Sequence, residues 1–303
     1  MLRSMYSGIS GMKNFQVKLD VIGNNIANVN TYGFKKGRTT FKDLVSQQIS
    51  GASAPAAGRG GVNAKQVGLG SQLASIDTVH TQGSLQNTNR PLDLGISGDG
   101  YFIVGTGATN GTQPYTFNGT PEMNFTRAGN FYLDQQGNLV NSDGMLLIGL
   151  PSTAPTATTP PTNSIGTGFG KIVIPTDAKS FSVGSDGVVS YVDAKGALLN
   201  AGQIMMAKFP NNEGLEKVGS NLFKNTVNSG AMDKDKTRTG YEDMYAPGSD
   251  GAGTIVAGTL EMSNVDLSEE FTEMIVAQRG FQANTRIITT SDEILQELVN
   301  LKR

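Results

Sequence analysis

The sequence has no cysteine, no tryptophan and a single histidine, and only 17% of its residues are charged. Each shortage excludes something. Without cysteine there is no disulfide framework and no thiolate metal site. His80 stands alone in a strand-like stretch, and no Gly-x-Ser-x-Gly elbow precedes a helix, so no hydrolase triad is legible. With 24 basic against 26 acidic residues the net charge is −2, which attracts neither nucleic acid nor an anionic membrane. No apolar run approaches the ~18 residues of a membrane span, so no membrane insertion is expected. Polar residues interrupt every apolar run near the N-terminus, so no cleaved signal peptide is expected.

Three imitations of binding motifs fail on spacing. Gly166 to Gly170 and Gly105-Thr-Gly107 lack the helix that phosphate binding needs. Asp233 to Thr237 begins like a calcium loop, but Arg238 takes the turn glycine's place and Met244 that of the bidentate glutamate. Asn-x-Thr at Asn110, Asn118 and Asn124 is what an Asn/Thr-rich chain produces by chance. The remaining carboxylates read as scattered through turns and exposed helix faces. No catalytic residue, cofactor or metal is therefore expected, and the chain reads as a non-enzyme.

What is present begins at the ends. Apolar side chains fall at Leu2, Met5, Ile9, Met12, Phe15, Leu19, Ile22 and Ile26, close to the heptad repeat that buries one helix face against another helix. The Asn/Gly-rich run Gly23 to Lys35 predicts a shaped turn leaving that helix. At the far end, alternating steps of four and three give Leu267, Phe271, Met274, Gln278, Phe281, Thr285, Ile288, Asp292, Leu295 and Val299, with Leu298 beside them. Asp266 followed by Glu269 predicts a capped start for this second helix. Gly280 weakens its middle by about 1 kcal/mol relative to Ala.

Between the ends the 39 Gly and the short alternating runs predict a mainly β body. The expected fold class is α+β: a β body with long N- and C-terminal helices pairing as a coiled coil. The expected domains are a discontinuous helical domain (1–30 and 263–303), a connecting arm (31–70) and an outer β domain (71–262). Residues 39–49 read as a short helical or mixed segment, and the Gly/Ala/Ser-rich 50–61 as a flexible arm. Lys35-Lys36-Gly37-Arg38 reads as a solvated basic loop. Ser97-Gly-Asp-Gly100 predicts a hairpin, and Phe131 to Val140 and Phe181 to Val189 predict two more. Polar loops are expected at 106–124 and 151–170.

The two ends together resemble the bacterial flagellar rod and hook proteins. Leu19-Asp-Val-Ile-Gly-Asn-Asn-Ile-Ala-Asn-Val-Asn-Thr-Tyr-Gly-Phe-Lys35 is similar to the family's N-terminal signature, with Asn24, Asn25, Asn28, Asn30, Thr31, Gly33 and Phe34 as its motif residues. Gly258 to Leu267 and Met274 to Asn284 resemble the C-terminal one. Leu92-Asp-Leu, Gly98-Asp-Gly-Tyr-Phe102 and Thr126-Arg-Ala-Gly-Asn-Phe131 resemble the first strands of the family's β domain.

The resemblance implies a structural subunit of a hollow helical homopolymer, with the paired terminal helices lining its inner wall. The apolar helix positions Leu2, Met5, Ile9, Met12, Phe15, Leu19, Ile22, Ile26, Leu267, Phe271, Met274, Phe281, Ile288, Leu295 and Leu298 would form the assembly interface. It implies export through the flagellar type III apparatus without a cleaved signal, and Phe15 with Leu19 fits the spacing of an export signal. Within the family, Gln278 to Asn284 and the ending Asp292 to Arg303 favour a hook subunit, an extracellular, bendable universal joint. Its partners would be copies of itself, the rod, and the hook cap, hook-length control and hook–filament junction proteins. A distal rod subunit is the alternative, which the long stretch 46–68 favours. A secreted β-rich adhesin or enzyme with helical ends is the reading from another class.

Overall fold

A computed structural model describes residues 2–55, 58, 60–107, 122–153, 164–166, 168–230 and 244–301. Most of the expected 106–124 and 151–170 loops lie outside the described residues, as do Asn110, Asn118, Asp233 to Arg238 and the side chain of Leu2. The chain divides into two compact units, one of Met1–Val29, Lys36–Val79 and Val265–Arg303, the other of Asn30–Lys35 and His80–Asn264. The protein is mainly β, with an N-terminal and a C-terminal helix that contact each other.

In the first unit, α1 (Leu2–Ala27) runs for 26 residues with no acidic residue in its first turn and no basic one in its last. End charges do not stabilise it, so packing must. It stops where Asn28 turns back, its backbone N–H donating to the Asn24 and Asn25 carbonyls and its side chain to Asn24. The second helix, α2 (Leu267–Asn300), starts at Asp266 as its spacing predicts. That carboxylate accepts from the Ser268 N–H at 2.8 Å. Strands β1 (Gly37–Asp43), β2 (Ser46–Ser50), β3 (Lys65–Gly68) and β4 (Ser71–Thr78) complete the unit as antiparallel pairs β1–β4 and β2–β3.

These strands correct the helical option in the reading of 39–49. β1 is specified by a partner some thirty residues on, which a local period cannot see. Of the described residues in 50–61, Ser50 ends the β2–β3 ladder and Ser53 bridges Val62 beyond it. β4 shares the first unit with the helices, where the sequence placed residues from 71 onward in an outer domain.

The second unit carries β5 (Leu85–Asn87), β6 (Leu94–Ser97), β7 (Tyr101–Thr106), β8 (Glu122–Thr126), β9 (Tyr132–Leu133), β10 (Leu139–Val140), β11 (Leu146–Pro151) and β12 (Gly170–Lys171). It continues through β13 (Ser180–Val183), β14 (Val188–Val192), β15 (Leu198–Ile204), β16 (Met206–Ala207), β17 (Glu216–Gly219), β18 (Leu222–Lys224), β19 (Thr254–Ala257) and β20 (Thr259–Glu261). Its main sheet runs β13-β14-β15-β11-β7-β8-β18-β17, while β6 pairs with β19 and β5 with β20. At its centre, in β7, the sheet is buried on both faces, the side chains alternating between two apolar clusters. Phe102 and Val104 of β7 enter one apolar cluster with Phe131, Leu147 and Ile204, while Tyr101 and Ile103 enter another with Phe125, Ile148 and Phe209.

The expected β9–β10 and β13–β14 hairpins form. The expected hairpin at Ser97 to Gly100 does not: β6 and β7 go to different sheets, so the turn is a crossing between them. Gly98 and Gly100 take φ of 108° and 135°, backbone that lets the chain change layer there.

Candidate assembly surface and a buried charge knot

The two helices pack antiparallel. Gly280 lies under the ring of Phe15, Gly11 against Asn284, and Gly8 against Asn284 and Ile288. A Cβ on Gly280 would fall 2.5 Å from the Phe15 ring, so the glycine that weakens α2 locally is also the seat of an α1 aromatic. Lys18 pairs with Glu273 across the two helices.

Only half of the expected α2 seam faces α1. Met274, Phe281, Ile288 and Leu295 are half-buried, but they alternate with Glu270, Ala277, Asn284 and Ser291. Leu267, Phe271 and Leu298 are 39%, 50% and 48% exposed. The true stripe keeps the four-three rhythm and shifts its alternate members back by one residue. Counting large apolar side chains misses it because the approach beside Gly8 and Gly11 needs small partners. On α1, Ile22 is buried, and Met5, Met12, Phe15, Leu19 and Ile26 are half-buried. Ile9 is exposed beside the buried Gly8.

Asn25, at 1% exposure, joins three elements. Its side chain exchanges two 2.9 Å hydrogen bonds with the Gly37 backbone at the start of β1 and donates to the Glu270 carboxylate of α2 at 3.1 Å. Asn24 and Asn28 close α1. In the second unit Asn30 is exposed, Thr31 accepts from the Phe34 N–H, and Phe34 is buried with the Lys217 ammonium 5.0 Å from its ring. Gly33 takes φ of 68°, and a Cβ there would sit 2.5 Å from the Ala128 nitrogen, so backbone meets backbone.

Next to Gly33 lies a group that the sequence reading misplaced. Lys35 is 1% exposed rather than solvated. Its Nζ contacts Glu261 Oε1 at 2.6 Å and donates to the Thr81 carbonyl at 2.7 Å. Arg127 Nη1 lies 3.2 Å from Glu261 Oε2, and its Nη2 donates to the Gly98 carbonyl at 3.0 Å. Glu261 is fully buried and also accepts from the Gly83 N–H, while its carbonyl accepts from Gly33 N–H. Burial pulls the Lys35 ammonium below its ordinary range, and Glu261 pulls it back up. The carboxylates are thus not all solvated: Glu261 and Glu270 are interior. The signal that could have found the knot is a charged residue set within each of three motifs rich in Gly, Asn and apolar residues, Lys35 after Gly33-Phe34, Arg127 before Ala128-Gly129, and Glu261 between Leu260 and Met262.

His80 belongs to this interior as a packed group. Its Nδ1 lies 2.7 Å from the Tyr101 hydroxyl, and its ring meets Phe223 at 5.5 Å. Burial first, and then the cations Lys35, Lys217 and Arg127, hold its pKa down to about 4, so the ring is neutral at pH 7. Among the described residues no group of three or more His, Asp or Glu is placed to hold a metal ion. No helix is long and apolar enough to cross a membrane.

Family models match three stretches of the chain. "Flagella basal body rod protein" covers residues 5–35, "Flagellar hook protein FlgE/F/G D1 domain" 95–191, and "Flagellar basal body rod FlgEFG protein C-terminal" 256–301. The flagellar basal-body rod protein FlgG of Bacillus subtilis (strain 168) is 55% identical over 303 residues, covering 100% of both chains. The chain belongs to the flagellar rod and hook family. It is a flagellar structural subunit, as the family's members are, and not an enzyme. Further similar are FlgG of Borreliella burgdorferi (strain ATCC 35210 / DSM 4680 / CIP 102532 / B31), 36% identical over 307 residues, and the hook protein FlgE of the same organism, 31% identical over 451, each covering 100% of both chains.

These relatives overturn the preference for hook over rod drawn from Gln278 to Asn284 and the ending Asp292 to Arg303. Identity to a rod protein is far higher, and it holds along the whole chain with matching length. The hook alignment extends well past this chain's 303 residues. Two short C-terminal stretches weigh less than that. The three matched stretches each contribute one member of the buried knot: Lys35, Arg127 and Glu261.

Proposed function

We propose that the chain is a subunit of the distal flagellar rod, polymerising with copies of itself into a hollow helical shaft and meeting the rest of the rod and the hook as neighbours. The observation that carries this is the 55% identity to a rod protein over the full length of both chains. The paired β2–β3 ribbon supports it. A ladder from Ser46↔Gly68 to Ser50↔Lys65 is a stiffer connection than the compliant arm a bendable joint would use.

The helix pair is the assembly element of this reading, forming a coiled coil in the shaft. Its α2 leaves Leu267, Phe271, Ile275, Val276, Ile287 and Leu298 exposed, a larger apolar display than an isolated helix pair keeps without neighbours. Export proceeds through the flagellar type III apparatus, with Phe15 and Leu19 available as its signal. Since both already pack within the first unit, they are free to be read only before folding.

Electron microscopy of basal bodies from a strain lacking this chain tests the assignment. Rods ending short, with no hook, are the expected result. A complete rod lacking only the hook would return the chain to the hook reading.

A further inference from the structure

Buried ionic groups stabilise a fold only when complete; remove one partner and the other is left as an uncompensated charge in a medium that solvates it poorly. In the second unit the group that completes the knot comes last along the chain. Lys35 and Arg127 are 0% and 4% exposed at their side chains, and among the described residues Glu261 is the one carboxylate within 4.0 Å of either. Their other acceptors, the Thr81 and Gly98 carbonyls, are uncharged. Glu261 also holds the Gly33 and Gly83 N–H groups, and its strand β20 pairs with β5 from Thr259↔Asn87 to Glu261↔Leu85.

We propose that Glu261 is a latch: the second unit closes only when this carboxylate arrives between Lys35 and Arg127. A chain made from its N-terminus therefore carries an open unit until residue 261 is present, although nearly all the core side chains precede it. The two cations would otherwise be buried together with no anion, each disfavouring the other. The latch is a property of the single chain and stands whether the assembled object is rod or hook.

Hydrogen exchange read by mass spectrometry on the full-length chain tests it. Glu261→Gln keeps the shape of β20 and removes only the charge. Protection should fall by at least about 100-fold across β6, β7, β11 and β15, including strands remote from residue 261. Loss confined to 31–35, 81–85 and 259–263, or no loss, would overturn the latch and leave Glu261 a local tie. A triple variant, Lys35→Met with Arg127→Leu and Glu261→Leu, has no charge to neutralise. Its β7 and β11 should recover to within about tenfold of the unaltered chain. If the triple variant exchanges as fast as Glu261→Gln, shape rather than charge closes the unit, and the proposal fails.

Discussion

The two units solve opposite problems with the same chain. In the second, both faces of the main sheet are covered at its centre, and Tyr101, Phe102, Phe125, Phe131 and Ile148 are among its fully buried side chains. In the first, Ile22 and Ala277 are the buried apolar side chains among the described residues, while Tyr6, Val45, Ile76, Phe271, Ile275 and Val299 face solvent. Apolar area removed from water supplies most of the driving force for folding, at roughly 25 cal/mol per Å². The second unit therefore has the means to fold alone. The first keeps much of its apolar surface in water.

The sharpest way to break this contrast is to delete the same side chain from each. Phe102→Ala opens a cavity in a sealed core and should cost about 3–5 kcal/mol. Phe15→Ala, whose ring lies on Gly280 at the helix pair, should cost about 1–2 kcal/mol and leave the second unit's transition in place. Thermal unfolding followed by near-UV dichroism reads both, and equal losses would mean the units are not distinct in stability.

Acid sharpens the contrast next. His80 titrates at about 4 when folded and near its ordinary 6.5 when unfolded, so the unfolded chain binds the proton more tightly between those values. Stability is full above pH 6.5 and falls as pH drops toward 4, by about 2–3 kcal/mol in total. Urea midpoints across that range should fall for the second unit, and His80→Gln should flatten the slope there. Smallest in the free subunit is Phe271→Asp: less than about 0.5 kcal/mol, because the side chain is half in water already. The same substitution should abolish polymerisation, scored by sedimentation of tubes. Normal tubes from Phe271→Asp would remove this face of α2 from the assembly surface.

How far the sequence could be read depended on the range of each interaction. Both helices, the Asp266 cap and two of the hairpins follow from local periods and turn chemistry. Strand β1 does not, since its partner Ser71–Thr78 is distant in the chain. Lys35 looked solvated because three of its neighbourhood's four residues are basic, while the acid that buries it stands 226 residues away. The α2 seam was displaced by one residue in half its positions because several of its large apolar side chains, Phe271 among them, lie on the exposed face. Ala277 and Ser291, small and easily overlooked, mark the face already packed. The preference for hook failed for a related reason: it rested on a short motif, and length and whole-chain likeness outweighed it.

The antiparallel pairing of α1 and α2 has an electrical consequence. Each helix carries a backbone dipole equivalent to roughly half a charge at either end. Here the negative end of α1, near Ala27, lies beside the positive end of α2, where Glu269 and Glu270 add acidic charge of their own. Opposed dipoles cancel along the pair. Along the stretch where the two helices overlap, the pair therefore carries little standing axial field from its backbone.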